Sequence, residues 1–268
     1  KELNAAMLTL ESSTGRILAM VGGVDYNQSV FNRAFQSKRQ AGSAIKPFLY
    51  QTALNEGYNP ASQLFDIGRT YTYTVGGVQK KWQPKNYGGN FQGIVSLRDS
   101  LVQSRNLSTL NLVTDVGVNT TTDDLKRYGF KDIVDNLSVT LGSMSVNLIE
   151  FSQAYTIFSN NGVQVKPYIV EQIVNKDGKS VTFEPQRKEL NPPEQSYLIT
   201  SILKDVVTKG TGRRAAVDGI ELAGKTGTTN DNIDAWFCGY SPSIQTIVWF
   251  GNDNNTPMRR AETGSTIA

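Results

Sequence analysis

The chain has 268 residues, of which 38% are hydrophobic and 19% are charged, and its formal net charge at pH 7 is only +3. This composition is typical of one large globular domain or two small ones, and it excludes a disordered chain or a strongly basic nucleic-acid-binding protein. The complete lack of histidine excludes a Ser–His catalytic pair and a His-ligated catalytic metal, and a single cysteine excludes an internal disulfide.

Two apolar runs at the start of the chain flank a short turn-rich segment. Ala5–Leu10 and Arg16–Val21 are separated by Glu11–Gly15, which contains Ser, Thr and Gly. Short apolar runs on either side of such a turn predict a β-hairpin.

A serine precedes a lysine by three residues at Ser43 and Lys46. Positions i and i+3 share one face of a helix, so a helical segment would bring the two side chains together. A neutral lysine amine could then replace the missing histidine as the base, if burial or nearby positive charge promotes loss of its proton. Gly42 indicates a helix that begins at the serine, and Pro47 then fits the first turn. Taken alone, this spacing is more typical of a solvated helix face.

The middle of the chain has apolar residues at helical spacing. The predicted helices are Ser96–Val102, Leu107–Val116, Thr121–Tyr128 and Asn147–Asn160, with a further helix from Pro193 to Val207. Capping and acidic residues at Thr121–Asp124 predict the start of the third of these helices. Ser104 and Asn106 follow the first one, where helix capping is the simpler interpretation of both.

The last third of the chain is predicted to be rich in strands. A hairpin is expected around Asp177-Gly178, between Tyr168–Val174 and Ser180–Phe183. Three more strands are expected at Glu221–Thr228, Asp234–Tyr240 and Gln245–Phe250, and their short connections indicate antiparallel pairing.

Strands at both ends with helices between them predict one sheet built from the two termini. The expected sheet lobe comprises about residues 1–42 and 165–268, and the inserted helical lobe comprises about residues 43–164. The cleft between two such lobes is a favoured place for a substrate site.

Three short blocks occur in the order S-x-x-K, S-x-N and K-T-G-T, which is typical of penicillin-binding proteins and serine β-lactamases. The segments around them resemble the transpeptidase domain of class A (bifunctional) penicillin-binding proteins over about residues 5–264. The segments that carry this resemblance are Phe31–Ala34, Arg39–Phe48, Trp82–Tyr87 and Asp234–Pro242. The resemblance implies an α/β (α+β) fold, in which helices cover a mostly antiparallel sheet and an all-helical lobe is inserted.

The resemblance also implies a role for each block. Ser43 would be the nucleophile and Lys46 the acylation base, while Ser104 and Lys225 would relay the proton to the leaving amine. The expected substrate-binding residues are Asn106, Thr226, Gly227 and Thr228. Backbone N–H groups of Ser43 and Thr228 would form an oxyanion hole, and the hydroxyls of Thr226 and Thr228 would hold a terminal carboxylate.

The implied activity is a D,D-transpeptidase that crosslinks peptidoglycan. Its partners would be stem peptides, with a D-Ala-D-Ala donor and an amine acceptor, and β-lactam antibiotics; no cofactor or metal is expected. The chain begins at Lys1 and has no run of about 18 apolar residues, so we expect a piece of a longer protein that does not itself span the membrane. By resemblance, a glycosyltransferase domain and a membrane anchor would precede it, which would place this domain outside the cytoplasmic membrane.

Three alternatives remain at this point. A D,D-carboxypeptidase would use water instead of an amine as acceptor. A class A β-lactamase would need a deacylating carboxylate in an E-x-E-L-N stretch, but the nearest match, at Arg187–Asn191, begins with arginine. A non-catalytic β-lactam sensor would keep the serine only for binding. The family usually continues with a helix that covers one face of the sheet, whereas this chain stops at Ala268, so by resemblance that covering element would be missing, disordered or supplied separately.

Overall fold

The computed structural model describes residues 3–268. The strands are β1 Leu3–Glu11, β2 Ile17–Val21, β3 Arg39–Gln40, β4 Gln63–Asp66, β5 Tyr71–Val75, β6 Val78–Trp82, β7 Gly93–Ser96, β8 Ser145–Val146, β9 Val163–Val165, β10 Gln172–Val174, β11 Ser180–Thr182, β12 Arg187–Glu189, β13 Ala223–Thr228, β14 Asp234–Tyr240 and β15 Ile244–Asn252. The α-helices are α1 Arg33–Gln36, α2 Lys46–Asn55, α3 Leu97–Val102, α4 Asn106–Val116, α5 Val118–Arg127, α6 Leu148–Ser159 and α7 Pro193–Thr208. Short 3-10 helices span Gly42–Ile45, Leu137–Leu141, Arg213–Ala215 and Asn230–Asn232.

The central sheet has five strands in the order β13-β14-β15-β1-β2, and each neighbouring pair is antiparallel. Both ends of the chain contribute, since Leu3 lies opposite Asn252 where β1 pairs with β15. Alternate residues of β1 are buried, as expected for a strand with one face on the core. The predicted hairpin at the start of the chain, the three strands near its end and the antiparallel pairing are confirmed.

Helix α2 is the centre of the helical part of the molecule. Every residue from Lys46 to Leu54 is buried, and the Phe48 ring contacts a cluster of aromatic rings. Because α2 is surrounded by other elements on all sides, its first residue, Lys46, is completely buried.

Most predicted helices are observed within one or two residues of the expected ends. The exception is α5, which begins at Val118 and not at Thr121, because Gly117, with φ +102°, ends α4 and leads directly into it. The Thr121 hydroxyl therefore does not cap the helix and instead donates to the Gly117 carbonyl at 2.9 Å.

The inserted lobe is mainly helical, but it is not entirely so. β4 pairs with β7, and β5 pairs with β6 through a two-residue turn at Gly76 and Gly77. Both glycines have positive φ, which is the requirement of a tight hairpin turn. The boundaries between the two lobes, at about residues 42 and 165, stay a prediction.

The end of the chain packs against strands β13 and β14 of the central sheet. A side chain at Gly264 would meet the Trp236 carbonyl oxygen at 2.3 Å and that of Gly227 at 2.4 Å, so this contact needs glycine. The Gly264 N–H also donates to the Thr228 hydroxyl at 3.1 Å. The last residues thus pack directly on β13 and β14.

Candidate active site

All three sequence blocks meet at one cleft of about 250 Å³. Its described lining residues are Gln40, Ser43, Trp82, Asn106, Ser138, Leu141, Ser143, Thr228, Thr229 and Asn230, and none of these carries a charged side chain. A larger groove of about 690 Å³, near Tyr168 and Phe183, contains none of the predicted site residues.

Ser43 lies in the short 3-10 helix that runs directly into α2, as predicted. The backbone N–H of Lys46 donates to the Ser43 carbonyl, and Pro47 occupies the first turn of α2. Gly42 has φ +52°, and a side chain there would meet the Thr228 carbonyl at 2.9 Å. The turn can therefore approach β13 closely only with glycine before the serine.

The amine of Lys46 is enclosed by oxygens of the S-x-N block. It donates to the Ser104 carbonyl at 2.8 Å, the Arg105 carbonyl at 3.1 Å and Asn106 Oδ1 at 2.7 Å. Burial lowers the pKa of Lys46 well below its usual value, and the charges of Lys225 and Arg105 lower it further. The three oxygens favour the protonated form, but complete burial beside two cations has the larger effect.

The Ser104 hydroxyl lies between the two lysines of the site. Ser104 lies between α3 and α4 and has φ +56°, a left-handed backbone conformation that interrupts the helical geometry at this residue. Its oxygen accepts a hydrogen bond from Lys225 Nζ at 2.9 Å and is 3.5 Å from Lys46 Nζ. A proton can therefore move between the two amines through a single hydroxyl.

Lys225 and Gly227 are two residues apart in β13, so they lie on the same face of the strand, the one that faces the Ser43 turn. Lys225 is fully buried, and burial lowers the pKa of its amine to about 7. A side chain at Gly227 would meet the Ala44 methyl group at 2.8 Å and the Ala41 carbonyl at 2.9 Å. Glycine therefore allows this strand to reach the turn that carries the serine.

The two threonines of β13 already have partners within the chain. The Thr226 hydroxyl is 2.7 Å from that of Thr211, and the Thr228 hydroxyl accepts from the Gly264 N–H. Thr228 lines the cleft, whereas Thr226 is only 7% exposed.

Behind the S-x-N block lies a buried ion pair that the sequence analysis did not identify. Arg105 Nε donates to Asp66 at 2.9 Å, and Asn86 Nδ2 donates to the same carboxylate at 2.9 Å. Burial alone would raise the pKa of Asp66, but the bonds from Arg105 and Asn86 hold it below its usual value. Asn86 also accepts from the first two N–H groups of α4, at Asn106 and Leu107. These residues are far apart in the chain, and no local pattern links them.

Other conspicuous side chains have structural roles. Trp236 and Trp249 are buried, and the Trp249 indole N–H donates to Asp234 at 2.9 Å. Trp82 is half-buried and its ring packs at a tilt against Tyr71, but it also lines the cleft and so belongs to the site.

A model of one protein family matches nearly the whole chain. The family is described as the penicillin-binding protein transpeptidase domain, and the match covers residues 5–266. The chain belongs to this family. The resemblance inferred from the sequence blocks is therefore confirmed.

Individual relatives agree with this assignment. Penicillin-binding protein 1A of Neisseria cinerea is 36% identical over 275 residues, which cover 99% of this chain and 34% of that protein. The crystal structure of penicillin-binding protein 1A from Haemophilus influenzae has a TM-score of 0.91 at 32% identity and is matched over 98% of this chain and 45% of its own. PonA1 from Mycobacterium tuberculosis, solved in complex with penicillin V, has a TM-score of 0.82 at 24% identity, with 99% and 74% of the two chains covered, and shows the shared fold.

The chain spans about a third of the length of the curated relatives it matches. Within residues 3–268, no helix is both long enough and apolar enough to cross a membrane. The fold class predicted from the sequence is confirmed by these structural neighbours.

Proposed function

We propose that this transpeptidase domain forms an acyl-enzyme on Ser43 with a stem peptide that ends in D-Ala-D-Ala, and then transfers the peptide to an acceptor amine. The observation that carries the proposal is the Ser104 hydroxyl, which lies between the buried amines of Lys46 and Lys225, while Asn106 of the same block lines one cleft with Ser43. This arrangement supplies a nucleophile with proton carriers in a chain that has no histidine.

Acylation would begin with the attack of the Ser43 hydroxyl on the carbonyl carbon of the penultimate D-Ala. Lys46 takes the hydroxyl proton in its neutral form, which burial and the neighbouring cations favour. The proton reaches the leaving D-Ala amine through Ser104 and Lys225. The N–H groups of Ser43 and Thr228 would stabilise the tetrahedral oxyanion, as the family resemblance implies.

The second half-reaction would use an amine of a neighbouring stem peptide. The amine nitrogen attacks the ester carbonyl carbon and loses a proton to the same lysines. The bond from that carbon to Ser43 Oγ breaks, and the lysines return the proton to Oγ as the crosslinked amide leaves. Asn106 would bind the peptide backbone, because its amide can both donate and accept. An amine needs less activation than water, which suits a site without a carboxylate base.

One observation disfavours the β-lactamase alternative. No Asp or Glu is among the described residues that line the cleft. The stretch at Arg187–Glu189, the nearest match to a β-lactamase deacylation sequence, forms β12 and pairs with β9 away from these residues. Rapid hydrolysis of an acylated drug is therefore not expected, and penicillin should remain on the enzyme.

The full-length protein would contain further segments that place this domain at its substrate. We propose that a membrane anchor and a glycosyltransferase domain lie elsewhere in the full-length protein, and that this domain acts on the outer side of the cytoplasmic membrane. The support is the length of the penicillin-binding protein 1A relatives, of which this chain covers about a third.

The test is intact-mass analysis after exposure to benzylpenicillin. We expect one covalent drug equivalent on the parent and none on Ser43→Ala, because Ser43 is the cleft hydroxyl that lies one helical turn before the buried amine of Lys46. Ser138→Ala is the matched control, since Ser138 lines the same cleft, and it should be acylated like the parent.

Release of D-Ala from a stem-peptide mimic, with and without an acceptor amine, separates the remaining alternatives. Release that depends on the amine supports a transpeptidase, and equal release in water indicates a carboxypeptidase. Acylation without any release would favour the sensor. A drug adduct that persists on Ser43→Ala would refute the assignment of the nucleophile.

A further inference from the structure

Two threonine hydroxyls on one face of β13 are each held by a group from another part of the chain. Thr226 and Thr228 are two residues apart, so their side chains lie on the same face of the strand. Thr211 Oγ1 is 2.7 Å from Thr226 Oγ1, and the Gly264 N–H is 3.1 Å from Thr228 Oγ1.

The contact at Thr228 determines which group donates and which accepts. A backbone N–H can only donate, so the Thr228 oxygen is the acceptor in this bond. Its own proton is then available to another acceptor. The close packing of Gly264 on Gly227 holds this donor in place.

The contact at Thr226 allows two arrangements, because each hydroxyl has one proton and either oxygen could donate. If Thr226 donates to Thr211, its proton is not available to a ligand. If Thr211 donates to Thr226, the Thr226 proton can bind an anion. Hydrogen bonds in a chain polarise one another, so an anion at Thr226 favours the second arrangement and is itself bound more strongly.

The position of Thr211 is fixed by the end of α7. Gly210 follows this helix, and a side chain there would meet the Val102 carbonyl at 2.6 Å. Thr211 N–H is 3.3 Å from the same carbonyl, and Gly212 N–H donates to the Val206 carbonyl at 2.9 Å. Val102 is the last residue of α3, and Ser104 follows it by two residues. The turn after α7 is therefore held against the end of α3, and this contact fixes Thr211 beside the Thr226 hydroxyl.

We propose that Thr211 is a positioning residue that directs the Thr226 hydroxyl proton towards the terminal carboxylate of the donor peptide, or the corresponding carboxylate of a penicillin. The Gly264 N–H does the same for Thr228, so the two threonines act as a pair of donors. This inference rests on the proposed function, in which Thr226 and Thr228 bind that carboxylate.

The test compares benzylpenicillin, which has a free carboxylate, with its methyl ester, which does not. We expect Thr211→Val to lower the second-order acylation rate with benzylpenicillin about threefold, because the variant keeps the Thr226 bond to the carboxylate and removes only the polarisation of that bond by Thr211. The rate with the methyl ester should change less than about twofold. Thr211→Ser keeps the hydroxyl and should retain the parent's rates with both compounds.

A second variant makes the test independent of general effects on folding. In a Thr226→Val background, Thr211→Val should cause no further loss, because the hydroxyl that it orients is gone. Thr200→Val is the control, since Thr200 lies on α7 and its hydroxyl pairs with Tyr240 at 2.9 Å. This control should not change the ratio of the two rates.

Equal losses with both compounds, no loss with either, or additive losses in the double variant would each overturn the inference. Thr211→Ala takes the place of Thr211→Val if the valine variant does not fold. A parent that neither compound acylates would instead refute the proposed function. A parent that is acylated, but whose Thr211 variants show no preference, refutes only the role of Thr211.

Discussion

At the scale of single residues, the site depends on a lysine that folding makes less basic. Lys225 Nζ bonds the Ser104 hydroxyl and the Thr226 carbonyl, each at 2.9 Å, and no solvent reaches the side chain. Burial lowers the pKa of this amine to about 7, so both of its protonation states are populated near neutral pH. A group with this property can receive a proton from Ser104 and deliver it to a leaving amine.

The same shift makes stability depend on pH. The pKa of Lys225 is lowered by burial from 10.5 to about 7, so between these values the unfolded chain binds more protons and stability rises with pH. Over about pH 7 to 8.5 the parent should gain about 1.5 kcal/mol more unfolding free energy than Lys225→Met, because Cys238 and the tyrosines are present in both proteins. Urea unfolding at the two pH values measures this difference.

Lys46 remains in both proteins, and the loss of the neighbouring Lys225 charge raises its pKa in the variant, so the measured difference includes the coupling between the two amines. Lys204→Met is the control, because Lys204 lies on the surface and pairs with Glu221. It should show the same pH dependence as the parent. If Lys225→Met did so too, the amine would not be the buried base that we describe.

At the scale of secondary structure, local signals account for what could be predicted. Ser96 and Asn147 cap α3 and α6 with bonds to residues three positions on, and both helices were predicted to begin there. The start of α4 is different, because its cap is Asn86, twenty residues upstream. A cap that lies so far away in the sequence has no local signal. The Asp66–Arg105 pair was not predicted for the same reason, because its residues are also distant from each other in the chain. The hairpin at Gly76 and Gly77 did have a local signal and was overlooked.

The buried ion pair gives a prediction for this element. Asp66→Asn leaves the Arg105 guanidinium buried without a charged partner, so we expect a loss of about 3 kcal/mol of unfolding free energy in urea. Replacing both residues, as Asp66→Leu with Arg105→Met, should recover most of that loss, because no charge is then buried.

Asp253→Asn is a suitable comparison. Its partner Arg33 is equally buried, but the Asp253 carboxylate is 35% exposed, and water can replace part of the lost bond. The loss should therefore be smaller. A double replacement at Asp66 and Arg105 that lost as much as the single variant would show that packing, and not charge, holds the turn before α4.

At the scale of the whole molecule, the sheet and the site form by joining distant parts of the chain. β1 near the start of the chain pairs with β15 near its end. Lys225 of β13 donates to the Ser104 hydroxyl, which lies 121 residues earlier in the sequence. The order of the strands along the chain and their short connections made the sheet predictable. The contact of Gly264 with β13 was not, since a glycine in a polar tail has no hydrophobic pattern to place it.

The last prediction follows from this joint construction. Leu8 is fully buried in β1 opposite Ile247, far in sequence from the predicted catalytic residues, and Leu8→Ala should lower the unfolding free energy by about 2–5 kcal/mol. Since the same sheet holds Lys225, acylation by benzylpenicillin and the fluorescence of Trp236 and Trp249 should be lost at the same urea concentration, in the parent and in the variant alike. Val181→Ala, on the exposed strand β11, should leave both midpoints unchanged. If acylation disappeared while the tryptophan signal stayed native, the site would unfold separately from the sheet, and its geometry would not depend on the pairing of the two ends of the chain.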